Sequence, residues 1–220
     1  AVSSLSVLGI LMAGWASANK YSLIGALRAA GQLIAYELPL VLAVVGVVMQ
    51  AGTMSLQGIV RAQSEGEIFG VGFLGNPFIV TQFVGFLLFL AAAQAELTQT
   101  PFDMPVAESE LVAGYMTEYT GFRFLFFFVA EFGTAFALSA IGATLFLGGW
   151  YVPGVHGGLA DIVGPLALGA KTMLVGFLIF WFRFTYPRFR EDQLQAVAWK
   201  FLIPLSLVNI LVTGVLKVVF

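Results

Sequence analysis

Carboxylates stand out first in this sequence. Between Ala95 and Arg123 the stretch AELTQTPFDMPVAESELVAGYMTEYTGFR carries Glu96, Asp103, Glu108, Glu110 and Glu118, five of only 12 acids in 220 residues. Two further acids, Glu37 and Glu131, lie inside apolar runs long enough to span a bilayer. An acid at the centre of a membrane helix costs about 2.5–3.5 kcal/mol on insertion scales, so each is a functional candidate. Burial favours the neutral form of an acid unless a cation is near. A carboxyl poised between its two forms can carry protons. The competing reading is structural, with Lys171 as ion-pair partner or a backbone group as hydrogen-bond partner. Among the loop acids, Glu108 near a helix start is also explained by the helix macrodipole, and Glu118 by simple solvation. Neither explanation covers Glu96 at the end of a span. Acids this close titrate as a coupled set, so a charge change at one end can move protons at the other.

Basic residues supply the counterpart. Arg183, Arg188 and Arg190 crowd a late turn as a topology signal, or else Arg183 and Arg188 neutralise the acidic loop or orient an anionic intermediate. Phe102, Tyr115 and the Phe run from 124 to 128 read as packed or lipid-facing rather than as a ligand box. The chain has no Cys and one His, His156, to which no role is assigned. Disulfides, Fe–S ligation by this chain and a bis-His haem are therefore excluded, and redox cofactors would have to be held by other chains. There is no metal-ligand spacing, phosphate-binding glycine loop or nucleophile–base pattern. A net charge of −2 gives no sign of a nucleic-acid partner.

The elements that must position these groups are membrane helices. The chain is 60% hydrophobic and 10% charged, with mean hydropathy +0.95, against about 25% charge in a soluble domain. An all-α integral membrane protein with about six spans in a single domain over 1–220 is expected. Span A ends near Trp15. The turn between Trp15 and Tyr21 is basic through Lys20 and Arg28. Span B runs from Ala29 to Gln50, with a kink expected at Pro39. A glycine-rich loop from Ala51 to Asn76 contains a short interfacial helix. Span C runs from Pro77 to Ala95. An acidic loop, 96–121, follows, with a short amphipathic helix from Pro105 to Met116. Glu108 and Glu110 lie about 200° apart on that helix, so they cannot share one narrow face. Span D runs from Phe122 to Leu147, span E from Pro165 to Phe184 and span F from Val197 to Val219. A basic loop, 183–193, joins the last two. The opening apolar run, Ala1 to Gly14, is short for a span, so the true N-terminus is expected upstream. Alternation puts Lys20, Arg28, Arg123, Arg183, Arg188 and Arg190 on one side, with only Arg61 on the opposite turns. By the positive-inside rule the acidic loop faces the cytoplasm or its equivalent.

Three segments carry a family resemblance. GWASANKYSLIGALRAAGQLIAYELP, AELTQTPFDMPVAESELVAGYMTEYTGF and FRFTYPRFREDQL, with LFLGGW between the last two, resemble the H-subunit family of respiratory complex I, the proton-pumping NADH:quinone oxidoreductase. The acidic stretch is similar to the family pattern AE…R-x-PFDLPEAEQELV-x-GY-x-TEYSG, which is specific to that superfamily. The match covers nearly the whole chain. The resemblance implies a heel subunit of the membrane arm, in a bacterial or archaeal plasma membrane or an organellar inner membrane. It implies quinone as substrate, no cofactor on this chain, and FMN and Fe–S clusters in partner subunits. Implied partners are the Fe–S and quinone-facing peripheral subunits, small membrane subunits, antiporter-like subunits and the lipid itself.

By the same resemblance Glu37, Glu96 and Glu131 belong to a proton path, to which Asp103, Glu108, Glu110 and Glu118 link a quinone-access cavity. Phe102, Asp103, Arg183 and Arg188 belong to the cavity or its coupling. The sequence departs from the pattern at Gln99 (usually Arg), Val106 (usually Glu) and Met116 (often His). The family usually has eight spans, and its first helices, with the cavity motif, are absent here. A homologous subunit of a membrane-bound NiFe hydrogenase, formate hydrogenlyase or other quinone-linked dehydrogenase remains an alternative. A stand-alone ion transporter is a further one.

Overall fold

The computed structural model describes residues 5–66, 75–106, 108–155 and 158–219, without the side chains of residues 108, 109 and 158. The Glu108 carboxylate and His156 thus lie outside the described part. The described residues are all helical or connecting, with no strand among them. Four stretches are long and apolar enough to cross a membrane: Lys20–Ala51, Phe122–Phe146, Leu159–Thr185 and Glu191–Val219. Two apolar helices are shorter, α1 (Leu5–Ala16) and α5 (Phe83–Glu96). The protein is an all-α integral membrane protein.

Helix α2 (Lys20–Ala51) is the hub, packed by α1, α5 and the last helix, α10 (Ile203–Val219). It starts where Asn19 accepts a hydrogen bond from the Tyr21 N–H at 3.0 Å, a capping arrangement typical of Asn. It ends at Gly52, whose φ of 74° suits a residue without a Cβ. No breaker intervenes, so the helix begins nine residues before the expected span B. Arg28 therefore sits two turns inside a helix and not in a turn. The helix also continues through Pro39. Its buried stripe is Ser22, Gly25, Ala29, Gln32 and Tyr36, at the 3- and 4-residue spacing of one helix face.

Other elements differ from expectation where the backbone cannot keep a regular helix. Span C is broken at Gln82, which separates α4 (Phe78–Thr81) from α5. The expected helix from Pro105 to Met116 is reduced to one turn, α6 (Glu108–Leu111), and a 3-10 turn, Gly114–Met116. Positive φ at Val112 (65°) and Gly114 (54°) stops helix propagation there. The basic segment is not one loop. Arg183 lies in the last turn of α8 (Gly158–Thr185), and α9 (Glu191–Val197) starts at its far end. A π-type turn, Ala198–Leu202, joins α9 to α10. The short helix expected in the glycine-rich loop is present as α3 (Leu56–Glu65), capped by Ser55.

The main core lies between α2, α5 and α7 (Phe122–Phe146), where Tyr36, Phe86, Phe89 and Phe146 are buried. Phe126, Phe136, Leu166 and Phe177 project outward, as expected of faces that meet lipid or other chains.

Helix ends inside this core need hydrogen-bond donors for their last carbonyls. Gln63 of α3 is fully buried and donates to the Thr144 and Leu145 carbonyls at 3.1 and 3.2 Å. Its Oε1 accepts from the Phe78 N–H at 3.2 Å. Lys171 of α8 donates to the Gly149 and Tyr151 carbonyls at 2.9 and 2.8 Å. It pairs with no acid among the described residues, so the ion-pair role expected of it is replaced by a backbone one. Gln63→Leu leaves buried partners unpaired and should lower stability by about 1–3 kcal/mol. The check is thermal unfolding in detergent, and an unchanged midpoint would rule out this role.

Candidate functional site

The acidic loop is held against α2 from above and below. Gly25 meets the loop backbone directly, since a Cβ there would lie 2.8 Å from the Gly114 Cα and the Tyr115 N. Three residues earlier, Ser22 donates to the Tyr115 carbonyl at 3.2 Å. Seven residues later, Gln32 donates from one nitrogen to the Ala95 carbonyl at 2.8 Å and the Phe102 carbonyl at 2.7 Å. That bond pair pins both ends of the segment between α5 and the PFD turn. Phe102 is buried, edge-on to Tyr36 with ring centroids 5.2 Å apart, and it also packs on Phe189.

Beneath the loop, Glu96 and Glu131 line one cavity of about 290 Å³, together with Ser6, Thr98, Tyr115 and Thr134. No basic side chain among the described residues lines it. Glu131 accepts a hydrogen bond from Gln99 Nε2 at 3.1 Å. Gln99 is 3% exposed, and its own Oε1 is buried without a partner among the described residues. Oε2 of Glu96 is likewise buried and unpartnered. Glu37, one turn beyond Gln32 on α2, lies within electrostatic range of Glu96. Asp103 and Glu131 lie within range of Tyr115, whose phenol is pushed up to about 12, first by burial and then by those two acids. Tyr115 therefore keeps its proton and remains a hydrogen-bond donor at the cavity wall.

Above the loop the charges are paired. Glu110 accepts from Arg28 at 2.7 Å and from Arg188 at 3.1 Å. Arg28 also reaches Glu191 at the start of α9, at 3.1 Å. The four residues tie α2, the acidic loop, the basic loop and α9 at one end of the helices. Glu118 joins the same end through Asn19 Nδ2 at 2.7 Å. Arg183 is not part of this collar; its guanidinium lies over the Phe184 ring, 6.0 Å from the centroid.

A second, apolar pocket of about 250 Å³ opens beside the loop. Leu87, Leu90, Gln94, Phe102, Phe182 and Phe189 line it, with Tyr186 among them.

Sequence reasoning singles out the acids and misses several of the neutral residues that hold them. Gln32, Gln94, Asn19 and Ser22 have no role assigned from sequence, Gln99 enters only as a departure from a pattern, and Arg28 only as a topology charge. The α2 stripe at 3- and 4-residue spacing is the available signal for Ser22 and Gln32. The pairing of Gln99 with Glu131 spans 32 residues and has no local signal.

The fold and site define a class: a helical membrane protein with a carboxylate cavity under an ion-paired loop. The chain matches the family model described as NADH dehydrogenase over residues 1–214, and it belongs to that family. It is 49% identical over 220 residues to the NADH-quinone oxidoreductase H-subunit of Anoxybacillus flavithermus, covering 100% of this chain and 62% of that one. To the H-subunit of Geobacillus kaustophilus it is 50% identical over 220 residues, with the same coverage. To that of Brevibacillus brevis it is 51% identical over 215 residues, 98% of this chain and 60% of that one. The chain thus spans about 60% of the length of these relatives.

The Glu110 carboxyl is held below its ordinary range, first by the Arg28 hydrogen bond, with the Arg28 and Arg188 charges adding to it against an opposing effect of burial. A lowered folded-state value means that the ionic tie is fully present above the ordinary carboxylate range and is lost as pH falls through the lowered value. Half-exposed pairs of this kind contribute about 0.2–1 kcal/mol each. Amide exchange over residues 108–116, corrected for its intrinsic pH dependence, should stay slow down to the ordinary carboxylate range and quicken below it. Glu110→Gln should already be faster at neutral pH, by roughly two- to thirtyfold for the loss of two such pairs.

Proposed function

We propose that the chain is the membrane subunit of a proton-pumping NADH:quinone oxidoreductase. It contributes a wall of the quinone-access cavity and the first part of a carboxylate path. The observation that carries this reading is the shared cavity of Glu96 and Glu131 under a loop whose outer acid Glu110 is paired with Arg28 and Arg188. The names of the relatives point the same way.

The roles follow from the chemistry of each place. The apolar pocket beside Phe102 suits an aromatic ring that arrives from the bilayer, and it borders the segment that ends in Glu96. Electrons reach quinone from an iron–sulfur partner subunit, since this chain has no Cys to hold a cluster. Reduction of a quinone takes up two protons, and that demand is felt by the coupled acids nearest to it. Asp103, Glu108, Glu110 and Glu118 pass the change in charge inward, with Arg188 as the cation that makes Glu110 sensitive to loop movement. Glu96, Glu37 and Glu131 then exchange protons with one another, helped by the Tyr115 and Thr134 hydroxyls at the cavity wall. Arg183 follows Phe182, which lines the apolar pocket, and would act on the cavity from the adjacent turn of α8. The collar faces the cytoplasm, where peripheral Fe–S and quinone-facing subunits dock on it. Small membrane subunits and antiporter-like subunits meet the exposed apolar faces and receive the protonation change.

Glu96→Gln keeps the shape of the side chain and removes its titration. In the assembled enzyme it should cut quinone-linked turnover and proton pumping together by about a hundredfold, the lower end of the range for losing a proton-transfer group. NADH oxidation by an artificial acceptor should stay intact. Wild-type rates of pumping coupled to quinone reduction would overturn the reading.

A further inference from the structure

The far end of the helices, opposite the ion-paired collar, carries charges that the carboxylate site does not use. Helix α7 begins beside the acidic loop and ends at Phe146, so the turn after it, the start of α8 and α3 lie at this far end. Three cations stand here among the described residues: Arg61, Lys171 and Lys217. Lys171 is engaged by the Gly149 and Tyr151 carbonyls. Lys217 donates to the Met49 carbonyl at the end of α2. Arg61 differs from both, since its guanidinium forms no ion pair among the described residues. Glu65, one turn further along α3, and Asp161, in the first turn of α8, both leave it unpaired. Basic residues collect at the other end of the spans, so an unengaged arginine here runs against the trend.

Arg61 lines a crevice of about 140 Å³ between α3, the turn after α7 and the start of α8. Trp150 and Tyr151 stand in its wall, and Trp150 is 40% exposed. Both residue types favour the level of lipid headgroups. Val60, Val152, Val155 and Val163 make the rest of the lining largely apolar. Ser64 also lines the crevice, but its hydroxyl proton is spent on the Arg61 carbonyl at 2.8 Å. Arg61 is therefore the charged donor of the site. Glu65 and Asp161 do not line it, so no acid there favours an ammonium headgroup. The complement of such a recess is an amphiphile with an anionic head. A guanidinium meets two phosphate oxygens at once, and the valines suit the first carbons of a lipid. The volume is close to the roughly 150 Å³ that admits benzene, which suits a headgroup and not a whole acyl chain.

We propose that this crevice holds the headgroup of an anionic phospholipid, with Arg61 on its phosphodiester. The proposal rests on the membrane-spanning fold and is independent of the quinone-linked function. A lipid held there joins α3, the turn after α7 and α8, three elements that no ion pair ties together among the described residues.

The test uses the protein purified in mild detergent with its bound partners and returned to phosphatidylcholine vesicles. These carry a trace of phosphatidylglycerol or of phosphatidylcholine with a photoactivatable group close to the headgroup. After illumination and digestion, crosslinks to residues 60–64, 150–155 and 160–164 are counted by mass spectrometry. The phosphatidylglycerol probe should label these peptides about fivefold more than the phosphatidylcholine probe, the effect of one basic residue at a membrane surface. Arg61→Gln should bring the two probes level by lowering only the phosphatidylglycerol signal. Gly164→Leu serves if Arg61→Gln fails to assemble. A Cβ at Gly164 would lie 3.4 Å from the Trp150 carbonyl oxygen, an ordinary contact, and the longer side chain fills the crevice without changing its charge. It should lower labelling by both probes. Equal labelling by the two probes in the unaltered protein would overturn the proposal. So would a phosphatidylglycerol preference that survives both substitutions, or an equal fall for both probes in Arg61→Gln, the mark of a structural defect. Loss of the preference on adding millimolar inorganic phosphate at constant ionic strength would mark a site for free anions and overturn the lipid assignment.

Discussion

A single side chain, Gln32, donates to two carbonyls, one at the end of α5 and one in the turn that follows. The rest of the site depends on that arrangement. Wherever a helix stops inside a membrane protein, it releases carbonyls that no water reaches, and each must find a donor in the protein. This chain stops or breaks helices at several such places and meets the demand with amides and hydroxyls. Gln32 serves α5, Gln63 serves α7, Lys171 serves the turn after α7, Ser22 serves the loop at Tyr115, and the Tyr36 hydroxyl serves Leu194 at 2.8 Å. Four of the five side chains are fully or almost fully buried, Lys171 being the exception. In the irregular acidic loop and at its start, α2 supplies donors to the Ala95, Phe102 and Tyr115 carbonyls.

From this follows the division of the site into two layers. On the outer layer, Arg28, Arg188, Glu110 and Glu191 exchange charge for charge within reach of solvent. In the inner layer the ties are neutral: a carboxamide holds Glu131, and glycine lets α2 touch the loop backbone. Half-exposed ion pairs are individually weak and can be rearranged. Buried amide bonds to backbone carbonyls are expensive to break without a substitute. The collar can therefore rearrange while the floor of the loop stays in place.

How much of this is legible in the sequence depends on the range of the forces involved. The all-helical membrane class, the short helix α3 and the acids at the site are local or compositional, and hydropathy and charge display them directly. The start of α2 departs from expectation because a charged turn and a charged helix end look alike: Lys20 and Arg28 carry the same topology signal wherever the helix begins. The acidic-loop helix is shorter than expected because Val112 adopts a positive φ that its side chain disfavours, and only tertiary packing enforces such a conformation. Charge suggests charge, so Lys171 reads from sequence as the partner of an acid. Its actual partners are carbonyls set free by a turn that begins 22 residues away, which a pairwise reading of charges does not weigh. The meeting of Arg28, Glu110, Arg188 and Glu191 joins four parts of the chain, and no spacing rule connects them.

The neutral inner layer also bears on why Gln99 can stand where the family pattern usually has an arginine. A fixed cation favours only the charged form of a carboxyl, whereas a carboxamide can donate to the charged form and accept from the neutral one. Gln99 has both groups available: Nε2 engages Glu131, and Oε1 is free of any partner among the described residues. Such a residue can stay in place through both halves of a proton exchange, turning its amide instead of breaking an ion pair. Within the proposed carboxylate path, the loss of a guanidinium here is then compatible with function. Among the described residues no basic side chain lines the space that Glu96 and Glu131 share, so Gln99 is the polar neighbour that engages Glu131 there.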